Sequence, residues 1–213
     1  MENKSSIQIT GVAIREMAND VLALTFATNA AGKDPIEVQN ELREAVKAAL
    51  EIIAPFVKPG EVDVETDAFH VEPAYEHKNG KAKMNGYAGS AGITVKGTDT
   101  ATISGLASKV TTMVVCSSNN SLSRKVRQSI EAELTQEAIK DFREKANAAI
   151  AGFDLAAWKI GDVSIRLSSN GRSMGKVMSL SASAAMESAP PPMSVEGGKS
   201  EITVNVSGSV IVE

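Results

Sequence analysis

Lys78-Asn-Gly-Lys81 restricts this chain more than any other stretch, because Asn-Gly between two patterned arms specifies a two-residue hairpin turn. The arms are long, Val62 to Glu76 before the turn and Ala82 to Lys96 after it. With Asn79 and Gly80 in the turn, Lys78 faces Lys81. Counting outward sets Ala68 opposite Ala91, Val64 opposite Val95 and Asp63 opposite Lys96. One face then collects Val62, Val64, Ala68, Ala91, Ile93 and Val95; the other collects Asp63, Glu65, Asp67, Thr94 and Lys96. Strands buried on one side and wet on the other read this way. A bulge would shift the outer part of the register.

The remaining elements follow from periodicity. Ser6 to Glu16 reads as a strand, and Val21 to Thr28 as a second with Leu22, Leu24 and Phe26 on one face. Asn29 to Lys33 reads as a turn. Asp34-Pro-Ile-Glu37 starts a helix: Asp34 caps, Pro35 suits the first helical position and Glu37 can reach back. Val38, Leu42, Ala45, Val46, Ala49 and Ile53 form its apolar face, with Glu41, Arg43, Glu44, Lys47 and Glu51 on other faces. Asp99 caps a second helix carrying Ile103, Leu106, Ala107 and Val110 inward, and Met113 to Cys116 reads as a short strand. Ser121 to Leu134 fits helix and strand periods equally. Thr135 starts a third helix that stops near Gly152, and Trp158 to Leu167 reads as a strand. Residues 168–200, with Ala189-Pro-Pro-Pro-Met193 and Gly197-Gly198, read as a long loop. Ile202, Val204, Val206, Val210 and Val212 alternate with polar residues in a terminal strand.

Composition limits the function classes. Of 213 residues, 43% are hydrophobic and only 4% aromatic, so aliphatic packing must fill the interior. A formal charge of −4 and no basic block argue against nucleic acid as partner. Cys116 is the single cysteine, which rules out an intramolecular disulfide. No apolar run approaches the roughly 20 residues of a membrane helix. The amino terminus, Met1-Glu-Asn-Lys-Ser-Ser-Ile, has no hydrophobic leader core, so no signal peptide is expected within this sequence.

Each candidate for chemistry weakens on its geometry. Gly86-Tyr-Ala-Gly-Ser-Ala-Gly92 precedes Ile93-Thr-Val95 inside a hairpin arm, whereas a phosphate loop opens a helix. Ser90 lies in a near match to G-x-S-x-G, but both histidines, His70 and His77, come before it in the chain. The glycines are expected to fall opposite Phe69 to Glu72, with Gly89 facing His70, as packing geometry. His70, Glu72, Glu76 and His77 offer imidazole and carboxylate donors but no recognised ligand spacing. Ser173-Met-Gly-Lys176 matches S-x-x-K without the other motifs of such enzymes. Asp63, Glu65 and Asp67 suit a solvated strand face better than an acid/base pair. Met174, Met178, Met186 and Met193 fit an adaptable contact surface and plain packing equally. No catalytic, cofactor or metal residues are therefore assigned.

The ordered series of segments resembles the SIMPL-domain family, which includes bacterial periplasmic immunogenic proteins. The segments are Ile9-Thr-Gly11, Ala18-Asn-Asp20, Asp67-Ala-Phe-His-Val-Glu-Pro-Ala-Tyr75 and Asn85-Gly-Tyr-Ala88 running into Ile93-Thr-Val-Lys-Gly-Thr-Asp99. Glu137 to Ala146, Ile160-Gly-Asp-Val-Ser-Ile165, Val195-Glu-Gly-Gly198 and Ile202-Thr-Val-Asn-Val206 complete it, so the resemblance spans nearly the whole chain. Departures are Ala18-Asn19 where the family usually carries a proline, and Asp141-Phe142 where it tends toward Asp-Ala. The resemblance implies an α+β fold, a ring- or channel-like homo-oligomer, an envelope or exported location, a link to oxidative stress in some members, and no established catalytic set.

We expect one α+β domain over residues 1–213, or two lobes, with an antiparallel or mixed sheet, a long hairpin and two or three amphipathic helices. The functional expectation is a non-enzymatic, self-assembling envelope protein, periplasmic or secreted, without cofactor. The terminal strand is expected to pair with a neighbouring copy. The alternatives are a small-ligand or metal-binding protein using the His70–His77 end of the hairpin, and a cytoplasmic adaptor.

Overall fold

The structure, a computed structural model, describes residues 6–78, 81–155, 157–170 and 197–212. In chain order the elements are β1 (Ser6–Ala18), β2 (Val21–Gly32), α1 (Pro35–Ile53), β3 (Asp63–Lys78), β4 (Lys81–Gly97), α2 (Thr100–Lys109), β5 (Val114–Ser121), α3 (Arg124–Gly152), β6 (Trp158–Asn170) and β7 (Lys199–Val212). The α+β class is borne out, with three α-helices and two sheets among the described residues. The described residues divide into two compact units, one built from β1, α3, β6 and β7, the other from β2 to β5 with α1 and α2.

In the second unit the strands lie in the order β3-β4-β2-β5. β2 alternates Leu22, Leu24 and Phe26 inward, and β4 opposes them with Ile93 and Val95; all five are essentially inaccessible to solvent. Ala49 and Ile53 of α1 and Ile103 and Leu106 of α2 close the core over that face. Burying each large aliphatic or aromatic side chain contributes about 1.5–3 kcal/mol. Both helices start where their caps predict. Asp34 Oδ1 accepts the Ile36 N–H at 2.8 Å, with Pro35 in the first helical position. Asp99 accepts from the Thr102 N–H at 3.0 Å and the Thr102 hydroxyl at 2.7 Å. β2 continues to Gly32, so the expected turn at Asn29 is strand instead: β4 is long enough to pair residues as far as Gly32 with Tyr87.

The hairpin register is right at both ends and off by one in between. Lys78 pairs with Lys81, Val64 with Val95 and Asp63 with Lys96. However, Ala91 faces Phe69 rather than Ala68, and Gly89 faces Val71 rather than His70. Two bulges cause this, one on β3 between Thr66 and Phe69 and one on β4 between Met84 and Gly86, and they cancel. The first bulge reverses the parity of β3. Ala68 is therefore exposed, and Phe69 and Val71 take the helix side. At the second, Gly86 has φ +137°, a conformation open to glycine and strained for other residues.

In the first unit the order is β1-β7-β6, antiparallel throughout. β7 is thus the central strand, and its expected pairing with a neighbouring copy is overturned: β1 and β6 of the same chain occupy both its edges. Ile202, Val204, Val206 and Val210 point from β7 toward α3 and are buried there. α3 is a single helix from Arg124, capped by the Ser123 hydroxyl, so the ambiguous stretch before Thr135 is helical. Its buried residues are Ile130, Leu134, Ala138, Phe142, Ala146 and Ile150. Gly11 of β1 lets the helix approach closely: a Cβ there would stand 2.5 Å from the Phe142 nitrogen.

Among the described residues no helix is long and apolar enough to cross a membrane.

Candidate functional site

Three of the candidates weighed from sequence lie on the hairpin: the Asp63–Asp67 carboxylates, the His70–His77 donors and the glycine stretch with Ser90. On the solvent side of the sheet, Lys96 reaches Glu65 at 2.5 Å, and the Thr94 hydroxyl donates to Asp67 at 2.6 Å and bonds Thr25 at 3.0 Å. Glu65 and Asp67 therefore belong to a ladder of cross-strand pairs, as their alternation predicts, whereas Asp63 Oδ1 accepts the Gly60 N–H at 3.4 Å. Past the β3 bulge the polar parity resumes at His70 and Glu72. His70 Nδ1 lies 3.3 Å from the Ser90 hydroxyl, its register partner. The pair is an exposed histidine and a half-buried serine, and among the described residues no carboxylate bonds the imidazole to orient it. That leaves the geometry short of a nucleophile and its oriented base.

No group of three or more His, Cys, Asp or Glu side chains among the described residues could hold a metal ion. The His77 side chain, Ser173, Lys176 and Met174, Met178, Met186 and Met193 lie outside the described residues. Cys116 is exposed on β5, with its thiol 3.3 Å from the Thr25 carbonyl.

The glycine stretch is packing geometry. A Cβ on Gly89 would lie 2.7 Å from the His70 carbonyl oxygen and 2.9 Å from Leu42 Cδ1. The stretch thus passes under α1 at a distance only glycine allows.

The two outer edges of the β1-β7-β6 sheet are treated differently. α3 covers the edge of β1: Asp141 accepts the Val12 N–H at 2.8 Å and Lys145 Nζ donates to the Thr10 carbonyl at 3.1 Å. Lys145 also pairs with Asp141 at 2.7 Å. The Lys145 bond, and then the Val12 N–H, hold the Asp141 carboxyl below its ordinary pKa. Arg15, paired with Glu133 and Glu137 of α3, extends the cover. β6, by contrast, has β7 on one side, and no further strand pairs with its other side among the described residues. Val163, Ile165 and Leu167, register partners of Gly208, Val206 and Val204, are 44%, 52% and 48% exposed.

Sequence reasoning missed both this row and Phe69. Val163, Ile165 and Leu167 alternate as a buried strand would, so only the position of α3 reveals them as exposed. The parity slip at Phe69 did leave a trace: charged or polar residues occupy positions 63, 65 and 67, then 70 and 72. A three-residue step within a period of two marks a bulge.

The family model for SIMPL, described as a protein of unknown function (DUF541), matches residues 7–210. The chain belongs to the SIMPL family. A search of the curated proteins found no match.

Proposed function

We propose that this protein is a non-enzymatic, self-assembling interaction protein of the bacterial envelope, whose copies associate through β6. The observation that supports this reading is the contrast between the two sheet edges. An edge strand left open beside an apolar row is a template for another chain, and proteins that avoid such pairing cover the edge or charge it. Here β1 is covered by Asp141, Lys145 and Arg15, whereas β6 carries Val163, Ile165 and Leu167 beside an edge that no strand among the described residues pairs. The bulge between Ile160 and Val163 interrupts the ladder, and the proposed contact runs from Val163 onward. The envelope location, a ring-like arrangement and a part in stress responses come from the family resemblance, and fractionation of the native gene product checks the location.

Light scattering after size exclusion, across a concentration series, tests the assembly. The native chain is expected to form a defined oligomer, and the double variant Ile165→Lys, Leu167→Lys is expected to run as a folded monomer. A native chain that stays monomeric at high concentration would sink the proposal, as would an oligomer indifferent to the double variant.

A further inference from the structure

The second compact unit carries an apolar groove that has no part in the assembly reading. Its volume is about 410 Å³, within the range of small-molecule sites. Val46 and Leu50 of α1, with Ala54 just beyond the helix, recur every four residues and form one ridge along its flank. Phe69 of β3 makes the opposite wall, placed there by the parity reversal at the β3 bulge, and is 41% exposed. Without that bulge, position 69 would face the polar side of the sheet with His70 on the helix side, and the groove would lose its aromatic wall.

The charged groups of the groove stand at its rim. Lys47 Nζ lies 3.9 Å from Glu51, so these two largely offset each other. Arg43, at the end of the groove nearer the helix start, has no recorded ion pair among the described residues. From Arg43 to Ala54 the groove extends about 16 Å at the helical rise. An apolar trough with a guanidinium at its end that makes no ion pair among the described residues matches an alkyl chain that ends in an anion. A peptide laid in it would meet hydrocarbon walls and leave its amides without partners on that side, which costs free energy. An alkyl chain has no such groups to satisfy.

We infer that this groove binds a single-chain, monoanionic amphiphile of the fatty-acid class. The carboxylate accepts hydrogen bonds from Arg43, and the chain lies along Val46, Leu50 and Ala54 against Phe69.

The test is calorimetric titration of the full chain with dodecanoate, dodecyl maltoside and dodecyltrimethylammonium, each below its micellar concentration. Dodecanoate is expected to saturate one site per chain and to bind more tightly than either of the others. Arg43→Gln, on an exposed helix face, is expected to weaken dodecanoate by about three- to fivefold and leave dodecyl maltoside unchanged. Phe69→Ala is expected to weaken both by about tenfold. Three results would each overturn the inference: uptake without saturation, a preference for the cationic amphiphile, or binding unchanged in both variants. Because the assembly row lies on β6, the Ile165→Lys, Leu167→Lys variant should keep its dodecanoate affinity, which separates failure of this inference from failure of the assembly proposal.

Discussion

Gly89 shows how little space separates the hairpin from its helix. An added Cβ meets a backbone carbonyl, Val71 Cγ2 and Leu42 Cδ1, all within 2.9 Å. The carbonyl belongs to a paired strand and cannot move away cheaply. Gly89→Val is therefore expected to cost about 1–3 kcal/mol, read as a lower urea midpoint. A variant with an unchanged midpoint would show that α1 yields where the packing says it cannot. The sequence suggests a packing role for this glycine but pairs it with the wrong neighbour. Gly89 faces Val71, because register is counted from the turn and a bulge adds a residue without changing composition. Caps are far more legible than register: Asp34-Pro35 and Asp99 start their helices as read, because a cap bonds a backbone N–H only two or three residues away.

Among the elements, α3 is the hardest to read, and its geometry explains the difficulty. Its six buried residues recur at strict four-residue spacing. Each such step turns about 400°, so the stripe drifts about 40° per step and winds about 200° between Ile130 and Ile150. A four-residue step is also even, so Val126, Ile130 and Leu134 share one side of a strand as well as a helix face, which is why the stretch before Thr135 fits two periods. The same helix covers the edge of β1 with Asp141 and Lys145. The Asp141 carboxyl is held below its ordinary pKa in the folded chain, so its stabilisation is fully present above the unfolded pKa and is lost as pH falls through the folded value. Asp141→Asn is expected to lower stability at neutral pH by about 1 kcal/mol or less, since the pair is partly solvated. The difference from the native chain should begin to shrink as pH falls below about 4, the ordinary carboxylate value, and vanish only once pH has passed below the depressed folded value. Urea midpoints at neutral and acid pH measure it, and a difference that persists or grows in acid would contradict the assignment.

Across the whole chain, the two compact units have cores with no buried residue in common. Phe142→Ala removes a large side chain from the core of the first unit and is expected to cost about 3–5 kcal/mol there. Scanning calorimetry should resolve two transitions, with the substitution lowering one and leaving the other in place. A single transition that moves as a whole would show that the units unfold together. Local chemistry along the chain is enough to specify the hairpin turn, the starts of α1 and α2, the apolar alternation of β2 and β7 and the α+β class, because turns, caps and periodicity act between residues a few positions apart. Only the tertiary structure decides that β7 lies between β1 and β6, that two bulges cancel in the hairpin, and that Phe69 and the β6 row remain exposed. Those outcomes depend on which distant segment covers which face, and residues such as Gly11 and Phe142 acquire their meaning only when α3 is laid across β1.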